Sequence, residues 1–236
     1  MKIKSYQPTL SLKPTQFSVG LLEVEYKVIR LKRMSAKKLR KTIDATPVPV
    51  VISPWGELCV TDHHHFLFAC WHAGIRKVRV EVVKDYSKVR LGHEKFWSKM
   101  ARQHYAYLYD QFGSGPRSPL YLPMDIRGMS DDPYRSLAWM VRKEGGFENC
   151  DETFSEFKWA DFFRKRELLE THGRKGFSDA LARAIRLARS AAAKDLPGFA
   201  GGRNVRRKLN DEALEDSKYV VPHQVKGELA SVPLIA

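Results

Sequence analysis

VTDHHHFLFACWHAGI, residues 60–75, is the stretch on which the reading of this chain turns. Asp62 precedes three consecutive histidines, and a mostly apolar run follows and closes on Gly74. A glycine after such a run is a helix stop, because glycine takes the left-handed conformation at little steric cost. The spacing predicts a helix with Asp62 as N-cap and His63, His64 and His65 in its first turn. First-turn N–H groups have no acceptor inside the helix, and the macrodipole there favours negative charge, so the turn is suited to phosphate. Imidazoles can donate to that phosphate or move protons near neutral pH. The plainer alternative is that Asp62 caps the helix and the histidines satisfy neighbouring backbone groups. On these residues alone both readings stand.

Two other chemistries fit less well. A structural zinc site needs four converging ligands and a catalytic one three, whereas successive helical residues point about 100° apart. No metal is therefore assigned to the histidines. Cys70 lies among Phe68, Ala69 and Trp71, an apolar setting in which a thiol is inert. With Cys59 and Cys150 it completes a set of three cysteines, too few and too scattered for a disulfide framework.

Working outward, TPVPVVISPWGELCVT (46–61) predicts two short strands, Val50 to Ile52 and Leu58 to Val60, around a Pro-Trp-Gly-Glu turn. KVRVEVVKDY (77–86) alternates at period two, as a half-buried strand does. SAKKLRKTID (35–44) predicts a short helix capped by Ser35. LLEVEYKVIRL (21–31) is expected as a strand that sets Glu23 and Glu25 on one face, giving strand–helix–strand–strand–helix–strand. Helices are expected at 93–110, between Pro133 and Gly145-Gly146, at 155–170 and at 178–195, with a Gly/Pro/Ser loop at 111–130. The link between the helices of 133–170 is too long for a helix-turn-helix, which argues against operator recognition. The aromatics of HYAYLYDQF (104–112) either pack helices or stack bases. Residues 196–236 lack periodicity and are expected to be poorly ordered or supported by a partner.

The net charge of +14 is uneven: residues 1–110 hold 20 Lys and Arg against 9 Asp and Glu, and the rest hold 21 against 18. KVIRLKRMSAKKLRK (27–41) carries eight cations and no acidic residue. It is either a solvated face or a surface for a polyanion. No stretch reaches the roughly 18 apolar residues of a membrane span. The first twenty residues lack a signal-peptide core, so a cytoplasmic protein without a membrane partner is expected.

LKPTQFSVGLLEVEYK (12–27), VTDHHHFLFACWHAG (60–74) and SEFKWADFFRKR (155–166), in that order, resemble the ParB-like nuclease family. That family is similar to a distant branch of the ParB/sulfiredoxin superfamily, and the resemblance covers roughly residues 8–195. It implies an α/β (α+β) fold: a small mixed sheet with helices in 8–90 and a helical extension over 91–195. The superfamily signature, Asp-Gly-His-His-Arg-Leu-x-Ala, is matched by Asp62, His64, His65, Leu67 and Ala69, while His63 replaces its Gly and Phe66 its Arg. Gly permits a positive φ, and Arg grips phosphate with two N–H groups. Both departures bear on the nucleotide grip. The resemblance implies that Asp62 orients the turn, that His63, His64 and Lys27 contact phosphate, and that His64 and His65, with Glu23 or Glu25, handle protons. A nucleic acid or nucleotide is the implied partner, with Mg²⁺ or Mn²⁺ as the implied cofactor beside a nucleotide. A nuclease is the first expectation; a small-molecule phosphotransferase and a non-catalytic nucleotide- or DNA-binding module are the alternatives. No cysteine stands at 63–65, so sulfinic-acid reduction is not expected.

Overall fold

The computed structural model describes residues 3–169 and 173–201 and divides the chain into two compact units, Met1–Asp132 and Pro133–Ala236. The tail expected over 196–236 lies outside the described residues beyond residue 201. The fold is mixed α/β, and none of the described helices is long and apolar enough to cross a membrane.

The first unit is built on strands β1 (Tyr6–Pro8), β2 (Leu12–Lys13), β4 (Val48–Ile52), β5 (Leu58–Val60) and β6 (Lys77–Asp85), in the sheet order β1-β6-β4-β5-β2. β1 with β6 and β4 with β5 are antiparallel, whereas β4 with β6 and β5 with β2 are parallel. Side chains alternate between faces. Val50, Ile52, Leu58 and Val60 join one core with helices α1 (Leu21–Lys32) and α3 (His64–His72). Val51 and Cys59 face the other way, against Phe96, Trp97 and Met100 of α4 (His93–Arg102). α2 (Ala36–Ala45) starts at Ser35, whose hydroxyl accepts from the Lys38 N–H at 3.3 Å. A second, two-stranded sheet joins β3 (Ser18–Val19) to β7 (Ser130–Asp131) in parallel.

Several expectations are corrected. Residues 21–31 form helix α1, not a strand, because Leu21, Val24, Val28 and Leu31 fall on one helical face and pack into the core. Glu23 and Glu25, two residues apart, therefore diverge instead of sharing a face. The helix predicted over 93–110 stops at Arg102; His104 is left-handed, and Tyr107 bridges to Gln16. The helix placed at 178–195 runs from Gly173 to Ala188.

The second unit is helical: α5 (Pro133–Lys143), α6 (Ser155–Arg164) and α7 (Gly173–Ala188) enclose Leu137, Val141, Trp159, Phe163 and Ala184. Trp159 stacks on Phe147 at 4.2 Å and donates to the Pro197 carbonyl at 2.8 Å, so its polar edge is satisfied while its body is buried.

Candidate functional site: the histidine turn

The strand β5 delivers the chain to Asp62, which is exposed, and α3 begins two residues later. The cap position is His63 rather than Asp62, with φ 64° and ψ 24°. The Asp62 carboxylate accepts from the next residue's N–H at 2.6 Å, so it orients the turn without capping the helix. The first internal helix bond runs from the Leu67 N–H to the His63 carbonyl at 2.8 Å. The N–H groups of His64, His65 and Phe66 precede it, and the helix itself offers them no acceptor. His63 is part-buried, and its Nδ1 lies 3.1 Å from the Pro47 carbonyl. Donation there leaves Nε2 as the nitrogen that accepts a proton.

The other two histidines turn inward. His64 is 3% exposed, and its Nε2 accepts from the Thr15 N–H at 3.2 Å. Burial, reinforced by His63, pushes its pKa down to about 3, so it is a neutral imidazole at physiological pH. Thr15 is held in turn by its hydroxyl, which donates to the Val60 carbonyl at 2.5 Å. His65, also buried, accepts at Nε2 from the Gly20 N–H at 3.0 Å, which pins the start of α1 to α3. Phe66 lies edge-on to His63 and packs against the core.

α1 brings further groups to this end of the unit. Buried Glu23 has Oε1 3.1 Å from Lys27 Nζ and Oε2 3.6 Å from His65 Nε2. Glu23, Lys27 and His65 thus form one cluster, while Glu25 points elsewhere, toward Asp131. Burial first, and the Asp131 charge second, raise the Glu25 carboxyl to about 7. Asp131 accepts from the Leu21 N–H at 2.9 Å; desolvation raises its own pKa, the Leu21 bond opposes this, and the Asp132 charge adds to it. Among the described residues no group of three or more His, Cys, Asp or Glu is placed to hold a metal ion.

A family model described as Putative ParB-like nuclease matches residues 8–165. The chain belongs to this family. Protein Atu1540 from Agrobacterium tumefaciens, known from a crystal structure, is similar to this ParB-like chain at 36% identity and a TM-score of 0.74, over 84% of this chain and 96% of that one. Among curated proteins no sequence matches significantly. The left-handed position of the histidine turn is occupied by His63, a non-Gly residue. A non-Gly residue in this region is strained by about 1 kcal/mol. His63→Gly is therefore expected to raise the unfolding free energy by about 0.5–1 kcal/mol, read by urea titration; a loss of stability would mean that the Pro47 contact outweighs the strain.

Sequence reasoning missed the partners that give the histidines their places. Thr15 and Gly20 lie 49 and 45 residues from His64 and His65, in a segment whose Pro and Gly read only as punctuation. Asp131, ahead of α5, accepts the first N–H of α1, a link across 110 residues that no local pattern carries.

Proposed function

We propose that this ParB-like protein binds a nucleotide phosphate at the Asp62–His63 turn and acts on phosphodiester bonds there. The observation that carries the reading is the left-handed backbone at His63, which opens α3 directly after the exposed Asp62 although glycine is absent. Asp62 orients the turn. His63 Nε2 is the imidazole nitrogen placed to take or give a proton, and Lys27, held by Glu23 at 3.1 Å, is the cation α1 would offer a phosphate. His64 and His65 are positioning residues: they hold the 14–20 segment and α1 against the helix that carries the site. Glu25, whose carboxyl exchanges its proton near pH 7, stands apart with Asp131 and takes no part in this reading. A Mg²⁺ or Mn²⁺ ion arriving on phosphates commonly takes only one or two protein carboxylates, so the lack of a larger acidic group among the described residues is compatible with one.

The test is cleavage of plasmid and single-stranded DNA with Mg²⁺, Mn²⁺ or chelator, using wild type beside His63→Gly and Lys27→Gln. Metal-dependent cleavage that falls by about a hundredfold in a folded His63→Gly protein is the expected result. Equal cleavage by all three proteins would place the chemistry elsewhere. Mononucleotide binding by a wild type that does not cleave would make the protein a binding module.

A further inference from the structure

The loop of residues 103–130 carries an exposed apolar knob. Leu120, Tyr121 and Met124 are 75%, 78% and 79% exposed, the three most exposed large apolar side chains among the described residues. They are firmly held. The single turn Pro119–Tyr121 is capped by the Ser118 hydroxyl, which accepts from the Leu120 N–H at 3.4 Å. Leu122, between them, is buried with Phe96, Trp97 and Met100 of α4, and Ile126 is buried in the core with α1 and α3. The Asp125 carboxylate accepts from the Arg127 N–H at 3.0 Å and closes the far side. A cluster of apolar groups fixed outward in this way marks a contact surface. Its charges cancel. Residues 103–130 hold two Asp and two Arg, which pair with each other: Arg117 with Asp110 at 2.9 Å and Arg127 with Asp125 at 2.7 Å. The chain as a whole carries +14.

We infer that this knob is the contact through which two copies of the protein associate, with the same loop on both sides of a twofold axis. Charge selects the occupant. Two chains of +14 repel each other, and they do so least across a face that adds no charge of its own. The same neutrality disfavours a polyanion or an anionic membrane, since both need uncompensated cations beside the apolar groups. Area is sufficient for a core. Covering Leu120, Tyr121 and Met124 removes roughly 400 Å² of mostly apolar surface per copy, about half of what one partner gives a standard interface. Polar surface around the knob supplies the rim. Tyr and Met are residue types that interface centres favour. A knob already fixed by Leu122 loses little further freedom on association. The inference is independent of the histidine turn.

The experiment is sedimentation equilibrium of the full chain from about 1 to 100 μM, at low and high salt, comparing wild type with Leu120→Ser/Tyr121→Ser/Met124→Ser. Wild type is expected to pass from one-chain to two-chain mass over this range. The variant should need about a hundredfold higher concentration for the same dimer fraction. Added salt should tighten wild-type association, because it screens the repulsion between two basic chains while the contact has no net charge to lose. A wild type that stays monomeric overturns the inference, as does a dimer that the substitutions leave intact or that salt dissolves. Binding of phosphatidylcholine vesicles through the same three residues, without a dimer, overturns it in favour of a membrane. Should the triple variant fail to fold, hydrogen exchange of the wild type carries the test. Amides of residues 118–126 are expected to exchange more slowly at high protein concentration than at low, and exchange independent of concentration overturns the inference.

Discussion

His64→Ala is expected to lower the unfolding free energy by about 3 kcal/mol at pH 7.5. The ring accepts the Thr15 N–H in the interior, so its removal leaves that donor buried and unpaired, a loss of about 1–3 kcal/mol, and opens a cavity besides. His64→Gln, which can return an acceptor oxygen, should recover part of the loss. Urea titration of the three proteins gives the comparison, and a loss below about 1 kcal/mol for the alanine variant would show that the ring is not the acceptor. The wild type also carries a pH signature. The folded-state pKa of about 3 lies below the ordinary 6.5, so between these values the unfolded chain binds more protons. The contribution of His64 is complete above pH 6.5 and is lost as pH falls toward 3. His64→Ala should remove this pH-dependent contribution as well as the stability. Loss of DNA cleavage in this variant would therefore report an unfolded site before it reported lost chemistry.

The sequence made the turn legible but not its orientation. Strand β5, helix α3 and the stop at Gly74 follow from local signals, because apolar periodicity and a terminal glycine act within a few residues. Which histidine faces water is decided by partners at Thr15 and Gly20, and no local pattern carries that information. The failure at residues 21–31 has a different cause. LLEVEYKVIRL alternates briefly at its start, where Leu22, Val24 and Tyr26 interleave with Glu23 and Glu25, and this resembles a strand. Over its full length the helical spacing of Val24, Val28 and Leu31 prevails, since those residues bury against α3 and the sheet. The substitution of Gly by His at residue 63 pointed to an altered turn. The backbone is instead left-handed, the conformation glycine would favour, and the contact with Pro47 and the bond its N–H donates to Asp62 help to hold it.

Glu25→Gln is expected to stabilise the protein at pH 8 and to leave it nearly unchanged at pH 4.5. The folded-state pKa of about 7 exceeds the ordinary value of 4.5, so the folded protein binds more protons across that window. Stability is thus lost as pH rises through it, and above pH 7 the ionised carboxylate is held beside Asp131 at a net penalty. Allowing for the partial exposure of Glu25, the gain in the variant is about 1–2 kcal/mol at pH 8. Urea midpoints at the two pH values measure it; the same change at both would show that the carboxyl is not desolvated. The two titrations also interact. From pH 4.5 to 6.5 His64 makes stability rise with pH while Glu25 makes it fall, so the wild-type profile is expected to be flat there. Glu25→Gln should uncover the rising limb and His64→Ala the falling one.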